Sequence, residues 1–150
     1  MPFSKFGLEP GILRAIQKAG YTRPTPVQAA AIPKVMLGGD VIAIAQTGTG
    51  KTAAFVLPML HRLSHSNRAG QPRGLKSLIL APTRELAVQI MENIRNYGQS
   101  LPIRVAAIFG GVEEEAQIKS LRKGVDIVVA TPGRLLELVG RQKLDFGLLE

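Results

Sequence analysis

The stretch Ala45-Gln46-Thr47-Gly48-Thr49-Gly50-Lys51-Thr52 limits what this chain can fold into more than any other. It follows the apolar run Val41-Ile42-Ala43-Ile44 and opens a segment whose Phe55, Val56, Met59, Leu60 and Leu63 recur at helical spacing. A strand that turns through two glycines into a helix leaves backbone N–H groups free to wrap an anion. Lys51 then supplies a point charge for terminal phosphates, and the Thr52 hydroxyl is a ligand for the Mg2+ that travels with them. On this reading the string is a phosphate-binding loop, Lys51 and Thr52 are the candidate catalytic residues, and Thr52 is the candidate metal ligand. The strict pattern opens with Gly, and Ala45 takes that place here, small enough for a tight turn. A Gly/Thr-rich turn without a ligand has no need of Lys-Thr directly after its second glycine.

The chain on either side reads as alternating strand and helix. Leu8, Ile12, Leu13, Ile16 and Ala19 form a helical stripe that Gly20 ends. Thr25 is a candidate N-cap and Pro26 suits the first position of a second helix, which places Gln28 in its first turn. The runs Leu78-Ile79-Leu80-Ala81, Val105-Ala106-Ala107-Ile108 and Ile127-Val128-Val129-Ala130 lack polar alternation, as expected of strands covered on both faces. Each precedes a helical pattern: Leu86, Ile90, Ile94 and Tyr97 after the first; residues 113–123, acidic first and basic last, after the second; Leu135, Leu136, Leu138 and Val139 after the third. Such βαβ repetition predicts an α/β fold with a parallel sheet and right-handed crossovers. Pro58, inside the helix after the loop, predicts a kink.

With 150 residues and 45% hydrophobic content, the chain suits one domain that buries roughly two-thirds of its unfolded surface. No apolar run approaches the ~20 residues that span a bilayer, and there are no cysteines, so a cytoplasmic setting without disulfides is expected. His61 and His65, four residues apart, have no carboxylate beside them in sequence and make a poor metal site. Nineteen Lys+Arg against eleven Asp+Glu give a net charge of +8, which favours a polyanionic partner. No acid occurs between Asp40 and Glu85, where Lys51, Arg62, Arg68, Arg73, Lys76 and Arg84 all fall. For residues 64–74 a solvated basic loop and a nucleic-acid contact are equally open.

Parallel sheets present all strand C-termini at one edge, where open α/β folds bind ligands. Besides the phosphate loop, Pro82-Thr83-Arg84-Glu85, Gly110-Gly111 and Thr131-Pro132-Gly133-Arg134 fall at such ends. Each puts small or hydroxyl residues and free N–H groups at a helix start, chemistry that contacts phosphates without reading bases. Singly, Thr83 and Thr131 read as N-caps. Together with the loop and the basic surplus, the three suggest a row of phosphate contacts.

These strings resemble the DEAD-box RNA helicases, superfamily 2 proteins with two RecA-like domains, and the bacterial members in particular. Gly20-Tyr21-Thr22-Arg23-Pro24-Thr25-Pro26-Val27-Gln28 resembles the Q motif, and Phe3 stands where that family has an isolated aromatic. The resemblance implies that Phe3 stacks on adenine while Gln28 reads its edge, with Tyr21, Arg23 and Thr25 around them. Ala45 to Thr52 is similar to motif I, whose first residue in the family is usually Ala. Pro82 to Ala87, Gly110-Gly111 and Thr131 to Arg134 are similar to the segments that hold the RNA sugar-phosphate backbone. The implied organisation is a Q-motif region, 1–40, followed by a phosphate-loop and RNA-contact region, 41–150. The implied cofactors are ATP and Mg2+, and the implied partners are RNA, bound without sequence preference, and a second RecA-like domain.

ATP hydrolysis needs a carboxylate at the C-terminal end of a strand, and none of the predicted strands ends in one. The family's Asp-Glu-Ala-Asp string, its Ser-Ala-Thr string and its arginine finger are absent. The expectation is therefore an incomplete RecA-like P-loop sheet, a fragment of a helicase, whose loop strand lacks neighbours and which alone hydrolyses no ATP. The alternative is a stand-alone nucleotide- or RNA-binding module without catalysis. A DNA-directed helicase is a weaker third choice, disfavoured by the Q motif.

Overall fold

The computed structural model describes residues 1–66 and 72–150. The chain divides into two compact units: residues 1–66 with Asn93–Pro102, and residues 72–92 with Ile103–Glu150. Of the basic stretch 64–74, residues 67–71 lie outside the described residues.

The first unit is helical. A 3-10 turn, Phe3–Phe6, precedes α1 (Pro10–Lys18), α2 (Pro26–Met36) and α3 (Lys51–Ser66), and the end of α4 (Arg84–Tyr97) also belongs here. The predicted stripe on α1 is buried at Ile12 and Ile16, while Ala19, just past the helix, is exposed. Gly20 N–H bonds to Gln17 O and Tyr21 N–H to Ile16 O, the paired closure that a glycine C-terminal stop predicts. α2 and α1 both pack on α3. Ile12, Ile16, Ile32, Val56, Leu57, Leu60, Leu63 and Ile94 are fully enclosed and form this unit's interior. α3 continues as one helix through Pro58, the residue at which a kink is expected, and Pro58 is buried in it.

The second unit holds a parallel sheet of three strands: β1 (Ser77–Leu80), β2 (Val105–Ile108) and β3 (Ile127–Ala130), in the order β1-β3-β2. β1 starts one residue before its predicted run, and Ala81 N–H continues the ladder to Ala130 O. Only β3, with a neighbour on each side, is buried along its whole length; β1 is partly covered and its Leu80 is exposed. β1 leads into α4, β2 into α5 (Glu114–Arg122) and β3 into α6 (Pro132–Gly140). Leu75, Ile108, Ile118, Val128, Ala130, Leu135 and Leu138 form the core between strands and helices.

The apolar run 41–44 is not a strand. Among the described residues nothing pairs with it, and Ile42 and Ile44 are 93% and 94% exposed. A strand is a property of a ladder, and an apolar run with no neighbour to exchange N–H and C=O groups cannot form one. The lack of neighbours is what an incomplete sheet predicts, but the strand expected over 41–44 does not form.

Candidate functional site

The loop is built by three local devices in the first unit. Thr25 caps α2 through a reciprocal box: its hydroxyl accepts from Gln28 N–H at 3.4 Å, and Gln28 Oε1 accepts from Thr25 N–H at 3.0 Å. The other end of the same amide, Gln28 Nε2, donates to Gly50 O at 3.1 Å. Gln28 is therefore buried, and both polar ends of its side chain are engaged with backbone. Gly48 and Gly50 have φ of +82° and +83°, and a Cβ on Gly50 would run into Gln28 Nε2. The loop thus needs glycine at position 50 for conformation and for space.

Beyond Gly50 the chain enters α3 at Lys51, and Ala54 N–H is the first to bond back, to Gly50 O at 3.1 Å. The N–H groups before it have no intrahelical partner, so the positive end of the helix faces the loop. Lys51 is exposed and its Nζ donates to Ala45 O at 2.6 Å, across the mouth of the loop; Thr49 Oγ1 donates to Gln46 O at 2.6 Å, and Thr47 lies in the turn. Thr52, partly buried in the first turn of α3, is the hydroxyl next to Lys51. This glycine-shaped cradle at a helix N-terminus, with an ammonium at its rim, fits a phosphate.

Phe3 and Tyr21 lie elsewhere in this unit. They line a cleft of about 390 Å³ together with Leu13, Ile16, Gly20 and Thr22. Phe3 is 6% exposed and meets Phe6 edge-on, ring centroids 6.1 Å apart. Gln28 does not line this cleft, and Arg23 is an exposed residue outside its lining. Tyr21 is half exposed and hydrogen-bonds the buried Tyr97 hydroxyl at the end of α4. Burial first, then the adjoining Tyr21 phenol and that hydrogen bond, push the Tyr97 hydroxyl up to about 12. Sequence reading missed this pair, since Tyr97 looked like one more member of an apolar stripe.

In the second unit the register sets the other three strings side by side. Leu80 and Ile108 are both level with Ala130, so residues 82–85, 109–112 and 131–134 emerge from one sheet edge. Pro82, Thr83, Arg84 and Glu85 are all exposed there. Thr83 caps α4, its hydroxyl accepting from Leu86 N–H at 3.2 Å. Thr131 stands at the N-cap position of α6, which Pro132 begins, but its side chain makes no capping bond. Gly110 and Gly133 have open space around them. Arg84 lies over the Phe109 ring, its Cζ 5.8 Å from the centroid.

Arg134 is placed differently from Arg84. Only 12% of its side chain is exposed. Its Nη1 donates to Gln117 Oε1 at 2.9 Å and to Val112 O at 3.2 Å, and its Nε pairs with Glu137 Oε2 at 3.0 Å. It pins the Gly110-Gly111 turn from behind, and Gln117, which sequence reading missed, is its buried partner. The available signal was a polar residue beside Ile118 on the buried face of α5. Asp126 precedes β3, at the edge opposite these strings, and its Oδ2 accepts from Arg104 N–H at 2.8 Å. Among the described residues no group of three His, Asp or Glu side chains could hold a metal ion, and no helix is long and apolar enough to cross a membrane.

A glycine-shaped phosphate cradle and a parallel sheet that opens into three helix-initiating turns define a P-loop α/β protein of the RecA-like class. The chain belongs to the DEAD/DEAH box helicase family, whose pattern it matches over residues 25–149. It is 47% identical over 150 residues to the ATP-dependent RNA helicase DeaD of Buchnera aphidicola subsp. Baizongia pistaciae, covering 99% of this chain and 24% of that one. It is 52% identical over 128 residues to DEAD-box ATP-dependent RNA helicase 30 of Arabidopsis thaliana, covering 85% of this chain and 22% of that one. Among solved structures, a hypothetical ATP-dependent RNA helicase from Sulfolobus tokodaii matches with a TM-score of 0.79 and 40% identity, over 91% of this chain and 38% of that chain. The chain thus spans about a quarter of the curated relatives it matches.

Proposed function

We propose that this chain is the nucleotide-binding and RNA-contacting part of a cytoplasmic ATP-dependent RNA helicase. The observation that carries the reading is the Gln28–Gly50 bond, which fixes a glycine cradle at the head of α3. The relatives' description as ATP-dependent RNA helicases supports it. Residues 1–40 would recognise the base, with Thr25 and Gln28 at the cradle, while Arg23 and the cleft residues Phe3 and Tyr21 would have to reach the same nucleotide from outside it, and residues 41–150 would hold the phosphates and RNA. Within the cradle, 45–50 would wrap the phosphates while Lys51 exchanges the Ala45 carbonyl for a phosphate oxygen. Thr52 would hold Mg2+, which when bound neutralises phosphate charge. Because Gln28 already bonds Thr25 and Gly50, its contact with adenine would use the second amide hydrogen and the remaining lone pair of Oε1.

RNA would lie along the edge formed by Pro82, Thr83, Arg84 and Glu85, Gly110 and Gly111, and Thr131, Pro132, Gly133 and Arg134. Open glycine backbone and the exposed Arg84 suit sugar-phosphate binding without base readout. No described strand ends in a carboxylate at that edge, so hydrolysis and unwinding would require further chain, which we take to include a second RecA-like domain. Calorimetry tests the nucleotide half: ATP is expected to bind more tightly than GTP, and Lys51→Ala to weaken both. Equal affinity for the two nucleotides would remove the adenine assignment, and unchanged binding in Lys51→Ala would remove the loop. ATP turnover by this chain that Lys51→Ala abolishes would show an overlooked catalytic carboxylate.

A further inference from the structure

Gln117 is a buried polar side chain outside every string that the proposed function uses. It lies on α5 with 6% of its surface exposed, and both ends of its amide are engaged. Nε2 donates to Phe109 O at 2.8 Å, and Oε1 accepts from Arg134 Nη1 at 2.9 Å. A buried amide that spans two segments specifies where they stand relative to each other more than it adds stability. The two segments it spans are the ones that matter at this edge. The Phe109 ring carries the Arg84 guanidinium, and a Cβ on Gly111 (φ +83°) would stand 3.3 Å from Arg84 Nη1. Arg134 in turn holds Val112 O. Three strings far apart in sequence, at Arg84, residues 109–112 and Arg134, are thereby joined through one side chain.

We propose that Gln117 is a positioning residue for RNA binding: it holds the 109–112 turn against Arg134, so that Arg84 and the glycine amides address one phosphate run. It touches no RNA itself. The proposal rests on the reading of this sheet edge as an RNA track.

The experiment is a fluorescence-anisotropy titration of the 150-residue chain with a labelled oligouridylate over a range of salt concentrations. Wild type is compared with Gln117→Leu, Gln117→Glu, Arg84→Ala and Ile118→Val, with circular dichroism as the check that each is folded. Gln117→Leu should bind about tenfold more weakly, the order of one lost hydrogen bond to a charged group. Its plot of log affinity against log salt should be shallower by roughly 0.7, one phosphate contact on a single strand. Ile118→Val trims the same buried helix face without touching the network and should match wild type in affinity and slope. The slope counts phosphate contacts, so a residue that only stabilised the fold would leave it unchanged. Gln117→Glu keeps an acceptor for Arg134 but sets an oxygen against the Phe109 carbonyl; it should also weaken binding, and it decides the matter if Gln117→Leu does not fold. Wild-type affinity and slope in a folded Gln117 variant, alongside weakened binding by Arg84→Ala, would overturn the positioning role alone. No binding by wild type, or none that Arg84→Ala weakens, would overturn the RNA track and this role with it.

Discussion

Replacing Gly50 with alanine tests whether Gln28 holds the phosphate loop. Two costs arise, and they are separable. At φ +83° a residue with a Cβ pays ~1–2 kcal/mol for the left-handed conformation. The new methyl also displaces Gln28 Nε2 from Gly50 O, forfeiting a hydrogen bond of ~1 kcal/mol. Gly50→Ala should therefore cost ~2–3 kcal/mol. Gln28→Ala loses the same bond and also the acceptor for Thr25 N–H in the helix cap, ~2 kcal/mol in all. The bond between the two residues can be lost only once, so the double variant should cost ~1 kcal/mol less than the sum of the singles. Urea denaturation followed by far-ultraviolet circular dichroism measures all four corners of this cycle. Additivity to within ~0.3 kcal/mol would show that Gln28 does not hold the loop, and that its bond to Gly50 is incidental.

Three further outcomes are expected. Tyr97 ionises near 10 when unfolded and near 12 when folded, so its contribution to stability is complete below about 10 and is lost as pH rises towards 12; Tyr97→Phe should flatten that decline, and an unchanged alkaline profile would refute the burial argument. His61 is held below its ordinary 6.5, first by burial and then by His65, with Glu9 opposing, and its Nδ1 accepts Glu9 N–H at 3.0 Å. Its stabilising effect is thus present above 6.5 and lost as pH falls through the lowered value, and His61→Gln should remove that acid-side slope. Arg134→Ala should cost about 2 kcal/mol of unfolding free energy by orphaning Gln117 Oε1 and Val112 O, while the exposed Arg84→Ala stays within about 0.5 kcal/mol; equal losses in the two would show that Arg134 is not a structural pin.

Much of the scaffold was legible because its signals are local. The Thr25 cap, the Pro26 helix start, the Gly20 stop and the three paired strands depend on neighbours within a few residues or on a short apolar run, and all of them formed. The run 41–44 carried the same apolar signal as the others and formed no strand, since pairing depends on a partner that a strand's own composition does not specify. The site was legible as strings but not as side-chain assignments. Arg84 and Arg134 occupy similar motifs, yet one is exposed and the other buried among three acceptors. That difference follows from Gln117, which reaches Arg134 across 17 positions of sequence. Gln28 was legible as a first-turn residue of α2, but its reciprocal bond with Thr25 and its hold on Gly50, 22 positions away, required the fold.

The backbone around Asp126 gives the sheet a mechanical polarity. Asp126 O accepts from both Lys76 and Ser77 N–H, its own N–H donates to Arg104 O, and its carboxylate takes Arg104 N–H, so all three strands are riveted together where they begin. At the opposite end the ladder runs out at Ala81 and Thr131, and the chains part into turns that carry glycine, proline and a lone exposed arginine. A sheet clamped along one margin behaves like a comb held by its spine. At the other margin the ladder no longer sets the spacing of the teeth, and the bonds from Gln117 to Phe109 O and from Arg134 to Gln117 and Val112 O set it instead.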